Sequence, residues 1–388
     1  MSFDFDKPIS RENTNSVKFD GRQSYFGTVD VVPAWVADMD FAIPDCVTRA
    51  LQERLQHPVL GYTLYPESLY ESIINWFWRR HQWKIDRDWI LMAPGVVPSL
   101  FAAVQAFAKE GEGVIVQPPV YFPFFSAVTT NHRKLILNPL RELNGRYEID
   151  FEHLESCAQD GARLLMLCTP HNPVGRVWSE QELQKVLTIA RNYNLTILSD
   201  DIHCDLVYPG NTHTILGKLA LPDDKIITTI APNKTFNIPG LGLSALVIAD
   251  ASQRKAMKQT FESLHVGNTN PFSIVAFEAA YSEGDAWLNA LMKYLEETRN
   301  FVADYLQKNI PQIKMTKPEA TYLIWLDCRE LGMTDSQLRD FFIKDCKVGM
   351  SPGMVFGEGG SGFMRLNIGT HRAAIEQILL SIAKAINK

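Results

Sequence analysis

Three apolar runs in this sequence each end on a polar signature that could do chemistry. LLMLC gives way to TPHNPVG (169–175), LTILS to DDIHCD (200–205), and IITTI to APNKTFN (231–237). Taken singly, Asn172 reads as a turn cap, Asp200 as a helix cap and Lys234 as a solvated loop lysine. Taken together they offer an amide, a carboxylate and an amine at equivalent places. A lysine in a partly desolvated cleft loses proton affinity and becomes a nucleophile able to condense with a carbonyl. A carboxylate facing a pyridine nitrogen keeps that nitrogen protonated, because opposite charges a few ångströms apart favour the ionised pair. An amide can donate a hydrogen bond to a phenolic oxygen.

These residues meet only if the runs that carry them are neighbours in one sheet. Short β-branched or Leu-rich runs at 113–117, 134–138, 162–168, 195–199, 225–230 and 243–249 predict strands. SEQELQKVLTIARNYN (179–194) predicts a helix between two of them, opened by a capping-box pair, Ser179 and Glu182. Further helices are expected from Pro44 onward and over 67–83, the latter with Leu69, Ile73, Trp76 and Phe77 on one face. Continuous apolar strands alternating with helices predict an α/β fold. Its large domain holds a mostly parallel sheet, of a seven-stranded type, covered by helices on both faces. Ligands in such sheets bind beyond the carboxyl ends of the strands, where Asn172, Asp200 and Lys234 all fall. After residue 285 a long polar helix and strands at 321–327 and 362–369 predict a smaller α+β domain. The expected division is an N-terminal segment 1–45 near the site, a large domain 46–284 and a small domain 285–388.

Lysine, aspartate and asparagine are the set needed to hold pyridoxal 5'-phosphate, whose protonated ring is an electron sink. Here a resemblance becomes explicit. TPHNPVGR, SDDIHCDLVY, APNKTFNIPGL and FMRLNIGT, in that order, resemble the successive signatures of the fold-type I pyridoxal-phosphate enzymes, the aspartate aminotransferase superfamily. PAWVADMDF (33–41) and DIHCDL are similar to the cystathionine β-lyase-type C–S lyases within it. The resemblance implies that Lys234 binds the cofactor and shuttles protons, Asp200 partners the pyridine nitrogen, and Asn172 bonds the phenolic oxygen. It puts His203 near that same oxygen, where many relatives carry tyrosine, and Tyr121 against the ring. The phosphate would sit at the turn Gly95, Val96 and Val97, where a helix N-terminus presents free amides. Arg365 would clamp the substrate carboxylate, for which its planar fork is suited. Tyr62 would reach the phosphate of a neighbouring subunit's cofactor, implying at least a homodimer with shared sites. Trp35 and Asp38 become pocket-wall candidates. Two departures stand out. Asn233 occupies a place near the lysine where the family usually has serine, and Gly242 stands where many aminotransferases carry a phosphate-binding arginine.

The implied reaction is α,β-elimination from a sulfur amino acid to pyruvate, ammonia and a thiol. Transamination by a class I/II aminotransferase is the alternative, and a cofactor-binding protein that contacts a regulator a more distant one. The rest of the chain fits a soluble enzyme. Its 388 residues are 46% hydrophobic and 21% charged, with a formal net charge of −6, which argues against nucleic-acid binding. Six cysteines without CxxC spacing predict free buried thiols, and no apolar run is long enough to span a membrane. The N-terminus lacks a secretory pattern, so the cytoplasm is expected. GEGGSG (357–362) matches a dinucleotide motif but precedes a strand, not a helix, and reads as a loop. DDIHCD hints at a metal site, but its ligands would be crowded and Asp200 is already engaged, so no metal is expected.

Overall fold

The computed structural model describes residues 3–266 and 270–387. Its centre is a seven-stranded sheet: β1 (Ile90–Ala93), β2 (Gly113–Val116), β3 (Lys134–Leu137), β4 (Ala162–Cys168), β5 (Thr196–Asp200), β6 (Ile226–Ile230) and β7 (Ser244–Val247). The spatial order is β1-β7-β6-β5-β4-β2-β3. Every pairing is parallel except those of β7, which runs antiparallel to both β1 and β6. Six of the seven strands lie in runs the sequence marks. The seventh, β1, is a four-residue stretch cut short by Pro94-Gly95, too brief to announce a period.

The strands are apolar throughout because both faces are covered. On β4, Leu164 and Met166 pack with Leu100, Phe124 and Met257, whereas Leu165 and Leu167 pack with Leu154, Leu183 and Val186. Full burial of one such side chain contributes about 1.5–3 kcal/mol. The helix Glu180–Tyr193 on the second face starts at the expected capping box: the Glu182 amide donates to Ser179 Oγ at 3.2 Å, and the Ser179 amide donates to Glu182 Oε2 at 2.7 Å.

The helix Asp285–Asn309 leads into a four-stranded antiparallel sheet ordered Lys314–Thr316, Leu323–Asp327, Phe363–Asn367, Ser351–Pro352. The first forty residues lie against this module. Val32–Pro33 pairs in parallel with Val348–Gly349, and Asn367 Nδ2 donates to the Val36 and Asp38 carbonyls at 2.6 and 2.7 Å. A charge cluster fastens the segment to itself. Arg11 grips both Asp38 oxygens at 2.8 and 2.7 Å and one Asp40 oxygen at 2.8 Å, while the fully buried Lys18 ammonium sits 2.9 Å from the other Asp40 oxygen. Asn237 ties it to the large sheet side, accepting from the Met39 amide and donating to the Met39 and Phe41 carbonyls at 2.8–2.9 Å.

Candidate active site

The carboxyl ends of β4, β5 and β6 open on a cavity of about 270 Å³. Asn172, Asp200, His203, Asn233 and Lys234 line it from the loops that follow these strands, as the shared position at strand ends requires. The Asn172 loop is shaped by Gly175, whose φ of +70° suits glycine and whose added Cβ would sit 2.6 Å from Pro318 Cβ. On the opposite wall β1 ends at Pro94-Gly95, and a helix begins at Val96. No side chain caps that helix, so its first amides are left for an acceptor in the cavity, which Gly95, Val96 and Val97 also line. Gly242 faces the same wall. A Cβ there would lie only 3.3 Å from the Pro94 carbonyl oxygen, so the arginine-less position is also one with little room.

Burial sets the electrostatics. Asp200 is buried, with Oδ1 accepting from Thr229 Oγ1 at 3.2 Å and from the Ile202 amide at 3.3 Å. Loss of water raises its carboxyl to about 7 despite those bonds, so the site favours a cation beside it. Lys234, half-buried, donates to the Ala37 carbonyl at 2.7 Å. Desolvation lowers its ammonium to about 8, partly opposed by the charge of Asp38. His203 is buried and held neutral: burial, then the Lys234 and Arg365 charges, push it down to about 3. Its Nδ1 has no partner among the described residues. A neutral imidazole still has one N–H to donate. Tyr121 lines the cavity as well.

Arg365 is the most telling group. It is buried, yet among the described residues no carboxylate pairs with it. Its guanidinium donates to neutral oxygens only: Asn172 Oδ1 at 3.1 Å, the Trp35 carbonyl at 2.8 Å and Ser351 Oγ at 3.3 Å. Its Nε is buried without a partner, and the Phe356 ring lies 4.8 Å away. Burial lowers it from an ordinary 12.5 to about 10. An unpaired buried cation with an orphaned N–H is a built receptor for an anion. Because Asn172 Oδ1 is taken by Arg365, the asparagine has its NH2 group left to offer.

Three sequence candidates need correction or lie apart. Asp38 does not line the cavity; both its oxygens are held by Arg11, so it acts on Lys234 through charge and not as a wall. Trp35 contributes its carbonyl to Arg365, while its ring stacks on Tyr25 at 4.1 Å and its Nε1 donates to the Lys18 carbonyl at 3.0 Å. The pocket face of this segment is instead Ala37, one of the two residues between them. Tyr62 is 100% exposed and outside the cavity. The sequence reading also missed Tyr322, whose hydroxyl donates to the Ala37 carbonyl at 2.9 Å and whose ring meets His203 edge-on at 6.2 Å. It missed Ser351 and Asn237 as well. Tyr322 and Ser351 stand in none of the quoted signatures, Asn237 closes the one that carries Lys234, and Tyr322 and Asn237 act through contacts 285 and 198 positions apart.

The signature of the family described as Aminotransferase class I and II matches residues 36–382. This chain belongs to that family. Among its relatives, the cystathionine beta-lyase PatB of Bacillus subtilis is 43% identical over 99% of this chain and 100% of its own length. Protein MalY of Escherichia coli is 32% identical over 99% of each chain. Among solved structures, cystalysin from Treponema denticola, which contains a pyridoxal 5'-phosphate cofactor, superposes with a TM-score of 0.97 at 38% identity, covering 100% of this chain and 99% of the other. The donor set fits that group: an amine of lowered proton affinity, a buried carboxylate seeking a cation, a neutral imidazole N–H and uncapped helix amides for a phosphate.

Proposed function

We propose that this chain is a pyridoxal-phosphate-dependent C–S lyase of the cystathionine β-lyase type. It would catalyse α,β-elimination from a sulfur amino acid to pyruvate, ammonia and a thiol. The observation that carries the reading is the buried Arg365, without a carboxylate partner and bonded to Asn172 of the cavity that Lys234, lowered to about 8, also lines. Together they accept an α-amino acid by its carboxylate and offer a base near its Cα.

Bound pyridoxal phosphate supplies an electron sink for the pair left at Cα when its proton departs. Lys234, Asn172, His203, Tyr121, the amides at Gly95–Val97 and the Asn233 amide would hold it, and Asp200 would keep its ring nitrogen protonated. Arg365 binds the substrate carboxylate through a two-pronged, charge-assisted contact that fixes which Cα bond faces the base. Lys234 Nζ takes the Cα proton. The Cβ–sulfur bond then breaks, the sulfur leaves as thiolate, and uptake of one water releases pyruvate and ammonia. The Ala37 carbonyl, accepting from Lys234 and steadied by Tyr322, holds the amine in place between these duties.

The substrate class includes cystathionine, cystine and other cysteine conjugates. The division into an N-terminal segment 1–45, a large domain 46–284 and a small domain 285–388 belongs to this reading, as does the cytoplasm as its compartment. Among the described residues no helix is long and apolar enough to cross a membrane. A homodimer is part of the proposal: Val59, Leu60, Tyr62 and Leu64 form an exposed apolar run, which a second copy would cover while Tyr62 reaches the partner's cofactor phosphate. The test is incubation of the purified holoenzyme with L-cystathionine, measuring pyruvate and free thiol with and without a keto-acid acceptor. Acceptor-independent pyruvate is expected. Amino-acid formation that requires the acceptor, without pyruvate, would replace this reading with transamination.

A further inference from the structure

A second cavity, of about 650 Å³, has a lining the active site does not use. Three of its residues come together from distant parts of the chain. His81 ends the helix Glu67–His81, while Cys204 and Asp205 sit on the loop after β5. One imidazole nitrogen, the Cys204 sulfur and one Asp205 oxygen all lie within 4.8 Å of one another. Cys204 and Asp205 are buried.

An independent feature points to a ligand there. His213 borders the same cavity, its ring centroid 6.1 Å from that of His81. Its Nε2 is fixed on Asp201 at 2.8 Å, and its buried Nδ1 has no partner among the described residues. The two rim arginines, Arg79 and Arg80, turn onto Asp285 at 2.8 and 3.5 Å. Lys293 and Glu296 stand on the rim with opposite charges.

We propose that His81, Cys204 and Asp205 form a zinc site separate from the active cavity, its fourth position left to water. Mixed nitrogen, sulfur and oxygen donors suit tetrahedral zinc, whose ligand atoms stand about 3.3–3.7 Å apart at its usual bond lengths. Loading therefore opens the 2.8 Å His81–Asp205 contact toward that spacing. Cys204 gives its thiol proton to solvent as the sulfur takes the metal. The DDIHCD run is thus not the ligand set by itself: it supplies two donors, and the histidine comes from elsewhere.

The site is coupled to the lysine loop through one carboxylate. Asp205 Oδ2 accepts from Thr235 Oγ1 at 3.2 Å, next to Lys234, and Oδ1 accepts from Trp76 Nε1 at 3.1 Å. A metal that pulls on Asp205 disturbs the anchor of Lys234, so zinc acts as an inhibitor; this consequence rests on the proposed lyase reading, but the metal site does not.

The test equilibrates holoenzyme with zinc, removes free metal by gel filtration and counts bound zinc by mass spectrometry. Cadmium, followed by its ultraviolet thiolate charge-transfer band, serves as a second probe. The expected result is one zinc per wild-type chain and a cadmium band. Cys204→Ser abolishes the band, and both it and His81→Asn weaken zinc binding ten-fold or more. His81→Asn, at a half-buried position, carries the test alone if Cys204→Ser does not fold. A wild-type protein that retains no zinc, or zinc retention unchanged by His81→Asn, overturns the proposal.

Discussion

Replacing Arg365 with leucine separates a binding role from a structural one, because a binding role loses activity with little change in stability and a structural role loses both together. The wild-type guanidinium stands in the interior without an anion, and the fall from 12.5 to about 10 in its proton affinity corresponds to about 3 kcal/mol of unfavourable burial. Leucine removes that cost. It also removes donors from Asn172 Oδ1, the Trp35 carbonyl and Ser351 Oγ, each bond contributing about 1 kcal/mol. The terms nearly cancel, so the cofactor-loaded variant should unfold within about 2 kcal/mol of wild type in urea. Activity should behave differently. A buried ion pair that loses one partner costs about 3–5 kcal/mol, which is roughly a 10²–10⁴-fold fall in kcat/KM for a carboxylate-bearing substrate. The assay is pyruvate release from L-cystathionine across substrate concentration, paired with a substrate analogue in which the α-carboxylate is an amide. Wild type should discriminate strongly between the two and the variant hardly at all. If the variant keeps kcat/KM within ten-fold, or loses stability in step with activity, Arg365 is structural and the receptor argument is refuted.

In the substrate complex Lys234 must be neutral to take a proton, and burial lowers it to about 8, so kcat should rise with pH and level off above about 8; a flat kcat profile from pH 6 to 9 would contradict this. Asp200 has its folded value raised to about 7, so in the cofactor-free protein it contributes stability below pH 4 that is lost as pH climbs toward 7. Asp200→Asn should therefore be more stable than wild type without cofactor at pH 8, by at most about 4 kcal/mol, with the gap closing near pH 4 in urea melts, while its affinity for cofactor falls. Mixing Lys234→Ala with Tyr62→Ala chains should restore about a quarter of wild-type activity when each alone is impaired, since one site of each mixed dimer is then intact; mixtures no better than their parts would exclude sites shared between chains.

Much of this site was legible because its chemistry sits in compact signatures at strand ends. Asn172, Asp200 and Lys234 each follow an apolar run, and the parallel sheet that such runs demand carries them to one edge. Arg365 announced itself as a lone charge between Met364 and Leu366 in a strand. What escaped notice depends on tertiary paths. Asp38 looked like a wall residue, but Arg11, 27 positions away, takes its oxygens. Ala37 acts through a backbone carbonyl, which no residue type can flag. Tyr322 and Asn237 matter only because the N-terminal segment folds back on them. The strand Ile90–Ala93 and the reversed direction of Ser244–Val247 stayed hidden, since four residues define neither a period nor a polarity.

The way the N-terminal segment is fastened bears on how the chain is made. Val32 finds its strand partner at Val348, Val36 its amide donor at Asn367, and Met39 its anchor at Asn237. During synthesis the first forty residues therefore leave the ribosome long before the surfaces that receive them exist. The segment waits unpartnered through most of translation, and the pocket gains its Ala37 wall only when nearly the whole polypeptide has been released.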